Sequence, residues 1–307
     1  VTSLPSPPLD QNFSADELAI VRRAYARQML ALLGVEDGRI EAAFTAVPRE
    51  RFLGDPPWTI LSPFGGYRSL ASADPVVAYQ DILFALDPAR GVNNGSPSLH
   101  AKLLQALAVK PGDRIVHVGA GTGYYSAILS ELVGPTGQVT AIEFDATLAD
   151  QAARFLADRP NVTVICGDGA AWPQAPANGV YVNFGVIRPA DRWIENLAPG
   201  GRLVFWLGGP GPQREGMGGR HSNGGAALAV ERRPKGYAVH PVSTAHFVCA
   251  EGDLAVGDEA EAEALAKAFS DGGLDTVRSL IWKRAAMPDR CWFAADDWAL
   301  STDEIAD

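Results

Sequence analysis

Between Arg114 and Leu207 short apolar runs alternate with amphipathic stretches, and this alternation leaves few folds open. The apolar runs are Arg114–Val118, Gln138–Glu143, Val162–Cys166, Val180–Phe184 and Arg202–Leu207. Tyr124–Leu132, Ala146–Leu156 and Ala190–Leu197 carry helical spacing between them. A further helix over Ser98–Leu107 leads into the first strand through Lys110-Pro111-Gly112-Asp113. Continuous apolar strands separated by helices imply a parallel sheet covered on both faces. The expected fold class is therefore α/β, with a doubly wound, mostly parallel sheet. Right-handed crossovers place the C-terminal ends of all its strands, and with them the ligand, on one edge.

The flanking segments complete this frame. Residues 1–14 read as a loose arm, and Ser14 with Glu17 has the capping-box spacing of a helix start. Leu18, Val21, Tyr25, Met29 and Leu32 continue that helix to a stop at Gly34, and a second helix over Arg39–Val47 ends at Pro48. Gly54–Pro75 is rich in Gly, Pro, Ser and aromatics and is expected as an irregular cover. Beyond the last parallel strand, Gly208–Gly225 holds eight glycines, which suits a mobile surface loop or a substrate lid. Ala226–Glu231 and Tyr237–Val248, on either side of Pro234-Lys235-Gly236, form an antiparallel hairpin that closes the sheet. Glu259–Ala268 is a helix, Cys291-Trp292-Phe293 and Trp298 are packing residues, and the acidic tail after Trp298 is expected to fray. The resulting division is an N-terminal helical and cover region (1–97), a core (98–250) and a C-terminal helical extension (251–307).

Composition excludes several classes of function. Apolar residues make up 47% and charged residues 20%, the balance of a globular protein with a substantial core. No apolar run approaches the roughly 18 residues of a membrane span. A net charge of −10 without a basic stripe disfavours nucleic acid as a partner. Val1–Gln11 lacks the pattern of a secretory signal. Cys166, Cys249 and Cys291 are far apart and outside any C-x-x-C pair, so neither disulfides nor zinc are expected, and a cytoplasmic enzyme fits best. His240 and His246 lack a third ligand nearby, so no metal site is expected and a surface or interface role is assigned to them.

The chemistry concentrates at Gly119-Ala120-Gly121-Thr122-Gly123-Tyr124, a turn that follows one strand and opens a helix. In a dinucleotide fingerprint the last position is Gly or Ala, because the helix packs closely on the strand there. Tyr124 is too large for that role, which leaves an NAD-dependent oxidoreductase as the weaker alternative. A nucleoside without phosphates needs other partners. Gly119 and Gly121 admit the amino-acid end of such a ligand, Glu143 can accept from both ribose hydroxyls, and Asp168 can accept from an adenine amine.

Over Arg39–Leu207 the chain resembles the class I S-adenosylmethionine-dependent methyltransferases, and within them the protein-L-isoaspartate O-methyltransferase family. The residues that carry the resemblance are Ala46-Val47-Pro48-Arg49-Glu50-Arg51-Phe52, Pro97-Ser98-Leu99-His100-Ala101, Lys110-Pro111-Gly112-Asp113, Gly119–Tyr124, Gly167-Asp168-Gly169 and Leu197–Leu203. It implies a Rossmann-like fold and S-adenosyl-L-methionine as cofactor. Cofactor contacts then fall on Val92 to Gly95, His100, the turn Gly119, Ala120, Gly121, Thr122 and Gly123, Glu143 with Phe144, and Asp168 with Gly169. The family's catalytic Ser stands two residues before the proline, where this chain has Gly95, with Ser96 one residue later. Asn93, Asn94 and Ser96 are the candidates for orienting the methyl acceptor, or else they form a local Asx-type turn. Tyr181–Gly185 and Phe205–Gly208 replace smaller residues on the acceptor side. The implied acceptor is a carboxylate of a protein, a peptide or a small acid, for a monomeric or homodimeric enzyme. The alternative is a cofactor-binding module that has lost isoaspartyl methyl transfer.

Overall fold

Ser14 opens α1 (Ala15–Leu32) with a complete capping box: its hydroxyl accepts from the Glu17 N–H, and the Glu17 carboxylate accepts from the Ser14 N–H. The computed structural model describes residues 13–62, 65–211, 219, 221–222, 224–255 and 258–305. Most of the expected N-terminal arm, and residues 212–218, 220 and 223 of the glycine-rich stretch, lie outside the described residues. Asp37 caps α2 (Gly38–Ala46), which packs on α1 through Ile40, Ala43 and Phe44. The cover that follows holds more regular structure than its composition suggests. It contains two small hairpins, β1 (Thr59–Leu61) with β2 (Tyr67–Ser69), and β3 (Ala85–Asp87) with β4 (Val92–Asn93).

From there the expected alternation is present. The elements are α3 (Pro97–Leu107), β5 (Arg114–Val118), α4 (Tyr124–Val133), β6 (Gln138–Glu143), α5 (Ala146–Phe155) and β7 (Val162–Cys166). They continue with β8 (Ala177–Val186), α6 (Asp191–Glu195) and β9 (Leu197–Leu207). The strands β7-β6-β5-β8-β9 lie side by side and parallel, so the chain reverses its direction of winding between β5 and β8. That reversal opens a crevice at the C-terminal ends of β5 and β8. Helices α3, α4 and α5, with α1 and α2 outside them, cover one face through Leu103, Leu104, Ile128, Leu129 and Ala152. The other face is sealed by Trp193 and Ile194 of α6 and by Leu265 of α7 (Glu259–Asp271).

The hairpin β10 (Ala226–Arg233) and β11 (Gly236–Thr244) joins β9 antiparallel, as expected. The sheet does not close there. The region after residue 250, expected to be helical, contains α7 but also β12 (Ser279–Trp282), β13 (Cys291–Ala294) and β14 (Trp298–Ser301). These extend the sheet to ten strands in the order β13-β14-β12-β11-β10-β9-β8-β5-β6-β7. The frayed acidic tail is likewise corrected, because all four residues of β14 are buried between β12 and β13. Its acidic residues Asp303 and Glu304 come after the strand, and they mask the short apolar run Trp298-Ala299-Leu300. Trp292, Phe293 and Trp298 pack as expected, with Trp298 fully enclosed and its indole N–H donating to Glu261.

Candidate active site

The crevice at the strand reversal holds a cavity of about 510 Å³. One wall is the turn between β5 and α4. Gly119 has φ +74°, a left-handed conformation that favours glycine, and a Cβ there would stand 2.8 Å from the Phe184 ring. Tyr124, the residue that breaks the dinucleotide fingerprint, is buried against Phe44, Phe52 and Tyr125. Thr122 lines the cavity, and its hydroxyl donates to the Phe52 carbonyl at 2.6 Å.

Glu143 ends β6 at the bottom of this wall and is only 7% exposed. One carboxylate oxygen accepts from the Gly121 N–H at 2.7 Å and the other from the Asp145 N–H at 3.0 Å. Burial raises its pKa against the opposing effect of those two backbone donors. Asp168 follows β7, with one oxygen accepting from the Ala170 N–H and the other directed toward Gly252. Phe144, half exposed, lies beside Asp168 and Gly252. Gly119, Ala120, Gly121, Thr122, Glu143, Phe144, Asp168 and Gly169 all line the one cavity. Gly123 does not line it; it caps α4 with φ +94°.

The opposite wall is the segment Val92–Ser96 with His100. The Asn93 side chain accepts from the Gly95 N–H at 2.9 Å, which makes an Asx-type turn. Asn94 is buried, and its side-chain oxygen accepts from the Phe84 N–H and from Arg49. Ser96 precedes α3, and its hydroxyl donates to Asp81 at 2.9 Å. Gly95 has φ +70°, and a Cβ at this position would stand 2.2 Å from His100 Nε2. A serine there would have to displace the imidazole. His100 itself is held on two sides: it stacks on Tyr125 at 3.6 Å between ring centroids, and its Nδ1 meets the Tyr181 hydroxyl at 2.6 Å. Burial drives its pKa well below the ordinary histidine value, so the ring is neutral at pH 7. In the tautomer in which the Tyr181 hydroxyl donates to Nδ1, the ring proton is on Nε2, facing Gly95.

Several residues that sequence reasoning passed over hold this wall in place. Arg49 is fully buried within the Val-Pro-Arg-Glu stretch, donating to the carbonyls of Ala78, Gln80 and Ile82 and to Asn94 Oδ1, with its guanidinium 4.9 Å above Phe84. Asp81 gathers Ser96 Oγ, the Ser98 N–H and Ser98 Oγ. Arg90 bridges Asp145 at the start of α5 to Glu251 in the segment after β11. That segment, with Phe247, Val248 and Leu254, completes the cavity together with Trp206. His246 lies there too, with its Nδ1 3.1 Å from the Ser222 carbonyl, because β11 stops at Thr244. It is exposed, as expected, and stands at the mouth of the crevice.

The fold is α/β, of the class I methyltransferase type, with its crevice at the strand reversal. A solved protein-L-isoaspartate O-methyltransferase superposes with a TM-score of 0.60 at 22% identity, covering 86% of this chain and 73% of that one. The Plasmodium falciparum structure described as a putative member, in complex with S-adenosyl-L-homocysteine, gives 0.57 at 14% identity over 75% and 98%. A profile of the protein-L-isoaspartate(D-aspartate) O-methyltransferase family matches residues 28–228, and the chain belongs to that family. Among curated relatives, the Aeropyrum pernix protein-L-isoaspartate O-methyltransferase is 36% identical over 57% of this chain and 62% of its own length. The chain thus spans less than two thirds of that relative. Protein-L-isoaspartate O-methyltransferase 2 of Anaeromyxobacter sp. is 34% identical over 62% and 71%. The oxidoreductase alternative is left without support. The residues present fit S-adenosylmethionine: a backbone cradle at Gly119, a buried carboxylate at Glu143 and a second carboxylate at Asp168. No described helix is long and apolar enough to cross a membrane.

Proposed function

We propose that this chain is an S-adenosylmethionine-dependent O-methyltransferase acting on a carboxylate oxygen of a protein or peptide. The supporting observation is the acceptor wall, where neutral polar groups face the Gly-rich turn across a cavity lined by Leu86, Leu99, Trp206 and Phe247. When bound, S-adenosylmethionine supplies an electrophilic methyl group on a sulfonium. A carboxylate is ionised near neutral pH and needs no general base. What the chain contributes is orientation and the exclusion of water, and orientation alone is worth up to ~7–11 kcal/mol in a well-aligned pair. In this reading Asn93, Asn94 and Ser96 fix the course of the acceptor wall. His100, held neutral, donates from that wall through Nε2 in the tautomer in which Tyr181 donates to its Nδ1. Glu143 and Asp168 hold the nucleoside with Gly119, Gly121 and Gly169. The three free cysteines suit a cytoplasmic setting.

The test is transfer of radiolabelled methyl from S-adenosylmethionine to an isoaspartyl peptide, beside its aspartyl counterpart and native cell extract. Label that is released by mild base supports a methyl ester. Cofactor binding without label in any acceptor would support a binding module instead. Replacing Asn93, Asn94 and Ser96 together by Ala should leave cofactor binding largely intact and lower the transfer rate.

A further inference from the structure

Asn183 stands one residue past the last rung that β8 shares with β5, Val118 opposite Val182, and so lies level with Gly119 across the strand reversal. Its Cβ is 3.7 Å from where a Cβ on Gly119 would be. The side-chain amide is oriented from behind. Nδ2 meets His117 Nε2 at 2.6 Å, and His117 Nδ1 meets Ser126 Oγ at 2.7 Å. His117 is fully enclosed, and burial pushes its pKa down to about 3, so it is neutral. A neutral imidazole that accepts at Nε2 carries its proton on Nδ1 and donates to Ser126. The amide oxygen is thereby left buried without a hydrogen-bond partner, on a residue that lines the cavity. A buried acceptor in that state costs free energy until a donor reaches it.

Strand order says which donor that is. β7, β6, β5 and β8 follow one another across the sheet, with Asp168, Glu143 and Gly119 at the ends of the first three and Asn183 within β8, just past its last rung with β5. With adenine at Asp168 and ribose at Glu143, the amino-acid end of the cofactor falls beside Gly119 and Asn183. That end offers a carboxylate, which only accepts, and an α-ammonium, which only donates. We propose that Asn183 Oδ1 accepts a hydrogen bond from the cofactor's α-ammonium group, and that the His117–Ser126 pair is built to hold the amide in that orientation. This rests on the reading of the crevice as an S-adenosylmethionine site.

The experiment is calorimetric titration of wild type, Asn183→Ala and Asn183→Asp with two ligands. S-adenosylhomocysteine has the ammonium, and 5′-methylthioadenosine lacks the whole amino-acid portion. A hydrogen bond to a charged group corresponds to a loss on the order of ten- to a hundredfold in affinity. Asn183→Ala should lose that much for S-adenosylhomocysteine and nothing for methylthioadenosine, and Asn183→Asp should stay close to wild type for both. Thermal melting confirms that each variant is folded, and Asn183→Thr replaces the alanine variant if that one is not. Equal losses for both ligands, no loss for S-adenosylhomocysteine, or an aspartate variant as weak as alanine would each overturn the proposal. Wild type that binds neither ligand would overturn the cofactor reading itself, and the proposal with it.

Discussion

At the ends of β5, β6 and β7 the two carboxylates of the crevice wall are held by backbone N–H groups that lie within a few residues of a strand end. Glu143 is fixed by the N–H groups of Gly121 and Asp145, and Asp168 by that of Ala170. The facing wall is gathered from distant parts of the chain. His100 depends on Tyr181, Asn94 on Arg49, Ser96 on Asp81, and Phe247 and Val248 enter from beyond the hairpin. The first wall is a property of the parallel sheet and its turns. The second is assembled from segments far apart in the chain, from Arg49 to Leu254. In the proposed reading, nucleoside recognition is tied to the shared frame, while the acceptor side can vary without disturbing it.

The largest effect that would break this contrast concerns the distal strands. Trp298 is fully enclosed between Trp282, Phe293 and α7. Trp298→Ala should cost about 3–5 kcal/mol in urea denaturation. An unchanged midpoint would mean that the far strands are dispensable to the fold.

Next comes the turn. Gly119→Ala places a side chain at φ +74° and against Phe184, and should cost ~1–3 kcal/mol in backbone strain. It should also remove measurable S-adenosylhomocysteine binding, as read by calorimetry. Retained affinity would show that the backbone does not approach the ligand there.

Glu143→Gln should lower cofactor affinity on the order of ten- to a hundredfold, the range for a hydrogen bond to a charged group. The pH dependence has two opposite signs. Burial raises the Glu143 pKa, so cofactor affinity should weaken as pH falls through that raised value, because the acceptor carboxylate is lost. For the ligand-free protein the sign reverses: a raised acid favours the folded state below its unfolded pKa, and this contribution disappears as pH rises through the folded value. Glu143→Gln should flatten both profiles, and unchanged profiles would relieve Glu143 of its assigned role.

The smallest change sharpens the comparison on the acceptor side. Ser96→Ala loses the tie to the Asp81 carboxylate and should cost about 1–2 kcal/mol of stability, the low end for a half-buried hydrogen bond to a charged group. Methyl transfer should slow while S-adenosylhomocysteine affinity stays the same. A fall in cofactor affinity instead would mean that the two walls are not separable.

The two walls also differ in how far they could be read from the residues. Apolar strands ending at Val118, Glu143 and Cys166 placed Gly119, Glu143 and Asp168 together, because a parallel sheet aligns its strand ends by construction. Tyr124 separated a nucleoside site from a dinucleotide site for a steric reason visible in its side chain. The facing wall had no such periodic signal. Arg49 was one cation among 26 Lys and Arg residues, and only tertiary packing shows that it binds three carbonyls. His246 was assigned to a strand face that ends two residues earlier. Trp298 was hidden by the acidic residues after it, although the Trp-Ala-Leu run was a signal that could have been used. The conflict between Gly95 and a family serine was legible as a difference in letters, but its cause, the position of His100 Nε2, was not.

The most direct test of the central claim, that the strand-end wall is a site for an adenosylated amino acid, is titration of the purified chain with S-adenosylhomocysteine and with NAD. The account predicts saturable one-to-one binding of S-adenosylhomocysteine, weakened by Glu143→Gln, and no binding of NAD. Binding of NAD, or S-adenosylhomocysteine binding that Glu143→Gln leaves untouched, would contradict it.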